Sequence, residues 1–233
     1  MSGPGGGHSA PVPGRSGRGR SLAIRLLVTA GALVVWFWTQ SLIGGRELPG
    51  AGIWDGLHTL TAPLNAYLHA HPAAANALLI LSSGVIDLLG VFLLVGWIFG
   101  TTVRPFLALV ILLGLRQVMQ ALVTLPAPPN AIWHDPGFPS LLVTYGVAND
   151  YFFSGHTAIA VLGVTELVRL GRRWLKVVAW LVAPFEILTV LVLRAHYTMD
   201  VFAGIMTALC AAYLADRISP VVDTALSLRQ VTP

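Results

Sequence analysis

Two short polar stretches stand in a chain that is otherwise strongly apolar. They are Ser154-Gly155-His156-Thr157, inside the run FFSGHT, and His196 to Asp200, inside AHYTMD. His196 and Asp200 are four residues apart, so on a helix they share one face, about 6 Å apart along the axis. A carboxylate that accepts from one imidazole nitrogen fixes the tautomer and leaves the other nitrogen nucleophilic. That arrangement suits attack on phosphorus or on an acyl carbon. The same spacing also serves structure alone, with the carboxylate as a cap or a buried polar contact. The first stretch complements the second. Gly155 lets backbone come close to an anionic ligand. A helix that starts near Ser154 presents free N–H groups and its positive dipole end at the same place. Ser154 and Thr157 add hydroxyl donors and His156 adds a proton, which together describe an oxyanion pocket with a general acid beside it.

The elements that position these residues follow from composition. Of 233 residues, 55% are hydrophobic and only 10% charged, whereas soluble domains carry about a quarter charged residues. The chain therefore reads as an all-α, polytopic membrane protein. Apolar runs of about 20 residues span a bilayer. They are expected near 22–43, 77–99, 104–125, 153–170, 174–194 and 198–217, a six-helix bundle whose fourth member is short. Residues 1–20 are rich in Gly, Pro, Ser and Arg without apolar periodicity and read as a disordered tail. The membrane domain is expected over 21–219, followed by a short tail over 220–233. The single cysteine, Cys210, excludes an internal disulfide and falls in an apolar run, where packing explains it.

Charge placement sets the orientation. With the N-terminus inside, the inner side collects Arg15, Arg18, Arg20, Arg25, Arg104, Arg169, Arg172, Arg173, Lys176, Arg217 and Arg229. The outer side holds only Arg46 and Arg194. Both termini are then expected in the cytoplasm of a multi-pass cell-membrane protein, with both polar motifs opening outward. The connection between the first two spans has a pattern of its own. Trp54, Leu57, Leu60, Leu64 and Leu68 recur at helical spacing, with His58, Thr61, Asn65 and His69 on another face. This predicts an amphipathic helix over about 53–71 lying in the outer interface. Its histidines, with His71, do not form a metal-ligand spacing.

Three charges fall within spans. Asp87, Arg116 and Glu186 each lie roughly 14 Å below the outer end of their helix at 1.5 Å per residue. Polar groups in a membrane are costly and usually functional. The shared depth admits two readings, a mutual ion-pair network or a layer that meets phosphate through Arg116 and a cationic headgroup through Asp87 or Glu186.

Read together, SGHT followed by HYTMD resembles the phosphatidic acid phosphatase type 2 superfamily of membrane phosphotransferases. The flanks resemble its sphingomyelin synthase branch: Asp150-Tyr151-Phe152-Phe153-Ser154-Gly155-His156-Thr157, His196-Tyr197-Thr198-Met199-Asp200-Val201, and Arg116 followed by Val123-Thr124-Leu125-Pro126-Ala127-Pro128. The similarity covers roughly 110–217, on the same six-span plan. The resemblance implies that His196 is the nucleophile and carries the phosphoryl group as a phosphohistidine, with Asp200 orienting it. His156 would protonate the departing alcohol and then deprotonate the acceptor. Arg116, Ser154, Gly155 and Thr157 would hold the phosphate. In that branch the donor is phosphatidylcholine, the leaving group diacylglycerol and the acceptor ceramide, and no metal or other cofactor takes part. Asp87, Glu186, Asp150, Tyr197 and Arg194 are candidates for contacting the headgroup or backing the catalytic residues.

The chain also departs from its relatives. The phosphatase branch's Lys-x6-Arg-Pro motif is missing, since Trp97 stands where the lysine would precede Arg104-Pro105. The Ser-Arg pair upstream of the nucleophile is absent as well. Ala195 stands where the sphingomyelin synthases carry an acidic residue. The expected activity is transfer of a phospho-headgroup from a phospholipid to a lipid alcohol or to water at the outer face. Two alternatives stay open, a lipid phosphate phosphatase on monoesters and a non-catalytic lipid-binding or transport protein on the same scaffold. A monoester dianion calls for more positive charge than a diester, and the missing Lys and Arg motifs count against the first. The implied partners are membrane lipids, as donor and acceptor, and no nucleic acid; nothing in the sequence sets an oligomeric state.

Overall fold

The computed structural model describes residues 53–123, 125–143, 145 and 152–225, together with five helical positions of the first apolar run, Leu27, Ala30, Gly31, Val34 and Trp38. The rest of the run at 22–43, the expected tail over 1–20 and residues 226–233 lie outside the described residues. The chain divides into two units, Met1–Trp54 and Asp55–Pro233. In the first unit the five helical positions, Ile53 and Trp54 are all exposed. The second unit carries both polar motifs.

The regular elements of the second unit are all helices among the described residues. Its elements are α1 (Gly56–Leu60), α2 (Ala62–Ala70), α3 (Pro72–Ile98), α4 (Arg104–Leu122), α5 (Gly155–Arg169), α6 (Arg173–Val192) and α7 (Thr198–Ala225). Among the described residues four helices, α3, α4, α6 and α7, are long and apolar enough to cross a membrane. Leu88, Leu122, Trp180 and Leu181 are among the large apolar side chains they expose. Prolines at the start of α2, α3 and α4 occupy first-turn positions whose N–H would have no helical partner.

Helix α5 has 15 residues, so its length is roughly 22 Å at 1.5 Å per residue, short of the ~30 Å hydrocarbon thickness. It sits at the centre instead, packed against α3, α4, α6 and α7. The core around it joins Leu93, Leu112, Phe153, Leu162 and the small residues Ala208, Ala211 and Ala215, all fully buried. Small side chains let helix backbones approach closely, the usual basis of packing where lipid removes a hydrophobic drive between helices. At one end of the bundle Arg104 binds both Glu166 and Asp216, and Arg169 binds Asp216. These pairs tie α4, α5 and α7 together at that end.

Two elements differ from the sequence reading. Helix α7 continues to Ala225, past the expected end near 217–219. Asp223 accounts for this: its carboxylate accepts from the Val103 N–H at 2.7 Å and the Thr102 hydroxyl at 2.8 Å, which caps α4 and holds the last turns of α7 in place. The amphipathic helix over about 53–71 is two helices, separated at Thr61 just before Pro63. Its polar face is turned inward, with His58, Thr61 and Asn65 buried, while Leu57, Leu60 and Leu64 are exposed. Leu68 alone of that apolar row packs inward. The polar face finds backbone carbonyl partners in the bundle, which an apolar face could not satisfy.

The close approach of α7 to α5 depends on Gly204. A Cβ there would lie 2.7 Å from the Ser154 carbonyl oxygen and 3.4 Å from the Ala158 nitrogen. Both are backbone atoms, so the helices themselves would have to part. Gly84, in mid α3, has open space around a built Cβ. The two glycines should therefore respond oppositely to alanine. Gly204→Ala is expected to lower stability by roughly 1–3 kcal/mol, the usual cost of overpacking. Gly84→Ala is expected to raise it by about 0.5–1 kcal/mol through helix propensity. Thermal unfolding of both variants in detergent checks the pair, and a shift of the same sign in both would refute the close-contact reading.

Candidate active site

Ser154 caps α5: its Oγ accepts from the Thr157 N–H at 3.3 Å, and its backbone is extended, as an N-cap requires. At the start of α7, Asp200 reaches back so that its Oδ2 accepts from the Tyr197 N–H at 2.9 Å, one half of a capping box. The two starting turns are joined directly, because the Ser154 N–H donates to the Asp200 carbonyl at 3.1 Å. SGHT and HYTMD, some forty residues apart in the chain, thus meet at one end of the bundle. Two helix N-termini converge there, and with them the positive ends of two dipoles.

The polar atoms at this junction are buried. His196 Nδ1 stands 3.9 Å from Asp200 Oδ2, longer than a hydrogen bond, as in many catalytic pairs without substrate. Asp200 Oδ1, His156 Nε2 and Thr157 Oγ1 are buried and accept or donate no hydrogen bond among the described residues. The His156 ring meets the edge of Trp133, with centroids 5.1 Å apart at 81°. Both His196 and Arg116 lie within electrostatic range of that ring. Arg116 reaches the same place from α4: a Cβ on Gly155 would sit 3.1 Å from Arg116 Nε and 3.7 Å from its Cζ. Glycine at 155 therefore leaves room for the guanidinium beside the first turn of α5. His156, His196, Asp200, Arg116 and the Ser154–Thr157 turn form one cluster.

The other candidates lie elsewhere. Asp87 accepts from the Leu141 and Leu142 N–H groups at 2.8 and 2.9 Å, fastening the long connection before α5. Glu186 is fully buried and accepts from the Ser82 hydroxyl at 2.6 Å. Neither carboxylate pairs with Arg116, so the three charges expected at one depth are not a mutual ion-pair network. The Tyr197 ring stacks on His58 at 5.5 Å. Arg194 donates to the His58 carbonyl at 2.7 Å. Asp150 lies outside the described residues.

A clasp on the His196 turn joins Asp55, which the sequence reading did not single out, to His58 and Asn65, which it read only as the polar face of a helix. Asp55 caps α1 through the His58 N–H. Its carboxylate also accepts from both the N–H and the hydroxyl of Thr198 at 2.6 Å, so one side chain caps α1 and α7 together. His58 Nε2 donates to the His196 carbonyl at 2.9 Å, and the Asn65 amide donates to the Val192 carbonyl at 2.8 Å. The local signal was an Asp three residues before His58 at the head of a helical run, an ordinary N-cap pattern. Its second use could not be seen without the fold.

The family model described as AtPDCT1/2 matches residues 54–217. The chain belongs to that family. The match to the AtPDCT1/2 family takes in α1 through most of α7, and so every residue of the cluster. Similar curated proteins include phosphatidylcholine:diacylglycerol cholinephosphotransferase 1 of Arabidopsis thaliana, 23% identical over 168 residues, which cover 72% of this chain and 53% of that protein. Phosphatidylinositol:ceramide inositolphosphotransferase 3 of the same plant is 34% identical over 79 residues, 34% of this chain and 27% of its own length. Human sphingomyelin synthase-related protein 1 is 35% identical over 75 residues, 31% of this chain and 18% of that protein. The chain thus spans about half or less of the length of these relatives. Their names and the family match place it in the sphingomyelin synthase-like branch that its motifs resemble. No solved structure matches the chain.

The clasp carries a pH dependence. Burial lowers His58 below the usual imidazole range, although the His196 carbonyl and Asp55 pull the other way. Burial alone would raise the Asp55 carboxyl, but the hydrogen bonds from Thr198 and His58 outweigh it and hold it below its ordinary value. Folded His58 is therefore neutral where the unfolded imidazole, at its ordinary 6.5, already binds a proton. Its contribution to stability is complete above that value and declines as pH falls through it toward the lowered folded value. Lowering the pH from about 8 to about 5 should reduce the unfolding midpoint more in the wild type than in His58→Gln. Equal pH slopes for the two proteins would show that the clasp does not titrate.

Proposed function

We propose that this protein transfers a phospho-headgroup from a membrane phospholipid to a lipid alcohol through a phosphohistidine on His196. The observation that carries the reading is the hydrogen bond from the Ser154 N–H to the Asp200 carbonyl. It brings a nucleophile, a general acid and a phosphate cradle to one buried junction. The names of the relatives, phosphotransferases acting on phosphatidylcholine, phosphatidylinositol, diacylglycerol and ceramide, support the chemistry.

In the proposed reaction the His196 Nδ1–H faces Asp200, and its Nε2 lone pair attacks phosphorus. The bond from phosphorus to the diacylglycerol oxygen breaks, and His156 donates its proton to that oxygen. The headgroup phosphate is then covalently held on Nε2. The acceptor alcohol gives its proton to His156 and attacks phosphorus, and the N–P bond breaks to return free His196. Water in place of the lipid alcohol turns the same two steps into hydrolysis. A phosphodiester brings one negative charge to the junction. Arg116 and the amides at the first turn of α5 stabilise it as charge develops in each transition state. Asp200 serves two ends here: Oδ2, held in the first turn of α7 by the Tyr197 N–H, is also the oxygen that faces the imidazole. The basic residues gathered at the opposite end support a junction that opens toward the outer face.

Two outcomes test the proposal. His196→Ala should abolish transfer of a labelled headgroup while the protein stays folded in detergent, and wild-type protein quenched during turnover should carry acid-labile phosphate. Clear residual transfer by His196→Ala would falsify the nucleophile assignment. Arg116→Gln should lose about 10²-fold in kcat/KM, the typical effect of removing one electrostatic donor. Arg116→Lys should recover only part of this, because a point charge lacks the planar fork. The loss of activity in Arg116→Gln should exceed whatever loss of folded protein accompanies it. A large drop in stability with activity retained per folded molecule would make Arg116 structural.

A further inference from the structure

Arg194 stands two residues before His196, in the turn between α6 and α7. It is only 9% exposed. One terminal nitrogen donates to the His58 carbonyl, while Nε is buried and donates to nothing among the described residues. No carboxylate among the described residues lies within ion-pair distance of it. Asp55 acts on it electrostatically, but the oxygens of Asp55 already accept from Thr198 and His58. The contrast with Arg104 is informative. That arginine, 7% exposed, is matched by two carboxylates, Glu166 and Asp216. A buried cation without a counter-charge is costly, and an anionic ligand removes the cost.

There is room for one. Arg194 lines a cavity of about 620 Å³ between its turn and α2, a volume within the usual range for small-molecule sites. Ala62, Ala66 and Ala70, four residues apart on one face of α2, form the opposite wall and keep it open. Asn65 and Asn130 add polar groups to the lining, and the Asn65 amide nitrogen is engaged by the Val192 and Asn130 carbonyls. Asn130 (φ 59°) and Arg194 (φ 56°) are the non-glycine residues with positive φ among those described. Both line this cavity, and backbone held in that region clusters at ligand sites. On the same short helices Leu57, Leu60 and Leu64 are exposed, an apolar surface suited to acyl chains.

We infer that this cavity is a second anion site, separate from the Ser154–Thr157 cradle, in which Arg194 binds the phosphate of a phospholipid headgroup. It rests on the proposed function only for the choice of a phospholipid as the source of phosphate. The site would hold a lipid headgroup at the clasp that positions His196, beside the reaction rather than in it.

The test is equilibrium binding to detergent-solubilised full-length protein carrying His196→Ala and Arg116→Gln, so that neither chemistry nor the first cradle contributes. The probes are dihexanoyl phosphatidylcholine, inorganic phosphate and dihexanoylglycerol. The phosphatidylcholine should bind, and Arg194→Gln should weaken it about tenfold or more, the scale of a lost charge-assisted hydrogen bond. Ala66→Trp, which fills the cavity from an exposed position of α2 without touching the bonds of Arg194, should weaken it comparably even if Arg194→Gln fails to fold. Inorganic phosphate should bind at least tenfold more weakly than the lipid. Unchanged lipid affinity in folded Ala66→Trp overturns the site. Phosphate binding as tightly as the lipid overturns the lipid source, and dihexanoylglycerol binding as tightly overturns the anion. Because the background lacks His196, loss of the proposed transfer activity and loss of this site are read separately.

Discussion

A backbone hydrogen bond and the absence of one methyl group govern this bundle. The Ser154 N–H reaches the Asp200 carbonyl, and it can do so because Gly204 carries no Cβ to strike the Ser154 oxygen. With α5 and α7 starting at the same point, two dipoles point at one volume, and the histidine beside each first turn is carried to it. A short α5 is part of the same constraint. Surrounded by α3, α4, α6 and α7, it does not have to reach lipid at both ends, so its N-terminus can open inside the protein, where charge interactions are stronger than in water.

The opposite ends of the bundle handle charge in different ways. Where basic residues collect, Arg104, Glu166, Arg169 and Asp216 neutralise one another and fasten α4, α5 and α7. At the end that holds the histidines, Arg194 has a carbonyl but no carboxylate within ion-pair distance among the described residues. The positive ends of two helices converge at the same end. That asymmetry suits a protein whose missing negative charge is brought by its ligand. Positive charge held ready for an anion is the electrostatic form of preorganisation.

The short helices α1 and α2 change meaning once the fold is known. As an amphipathic pattern they predict an interfacial anchor with its polar face to water. In the structure that face supplies the clasp: Asp55 caps two helices, His58 holds the His196 carbonyl, and Asn65 holds the end of α6. Leu57, Leu60 and Leu64 are left outside. An amphipathic pattern says that a helix has two faces, but not which neighbour offers better partners to each. Here the free carbonyls of a helix C-terminus and a turn decide it, because in a membrane those groups have no other donors.

The helical class, the starts of the four long apolar helices within about five residues, and the contiguous SGHT and HYTMD motifs were legible in the chain before any fold was known. Apolar run length and local motif chemistry are properties of contiguous residues, and contiguous residues are what a sequence displays. The match of 54–217 to the AtPDCT1/2 family covers the stretches that hold these motifs. Which polar groups face each other came from the packed bundle alone. Asp87, Arg116 and Glu186 share a depth along their helices, yet depth says nothing of rotation about each helix axis. Asp87 turns to the amides of Leu141 and Leu142, Glu186 to Ser82, and Arg116 to Gly155. Asp55 and Thr198 are separated by more than half the chain and meet at 2.6 Å. Such contacts depend on how helices rotate and pack against one another, which is set by small residues and buried volume across the whole bundle rather than by any one stretch of it.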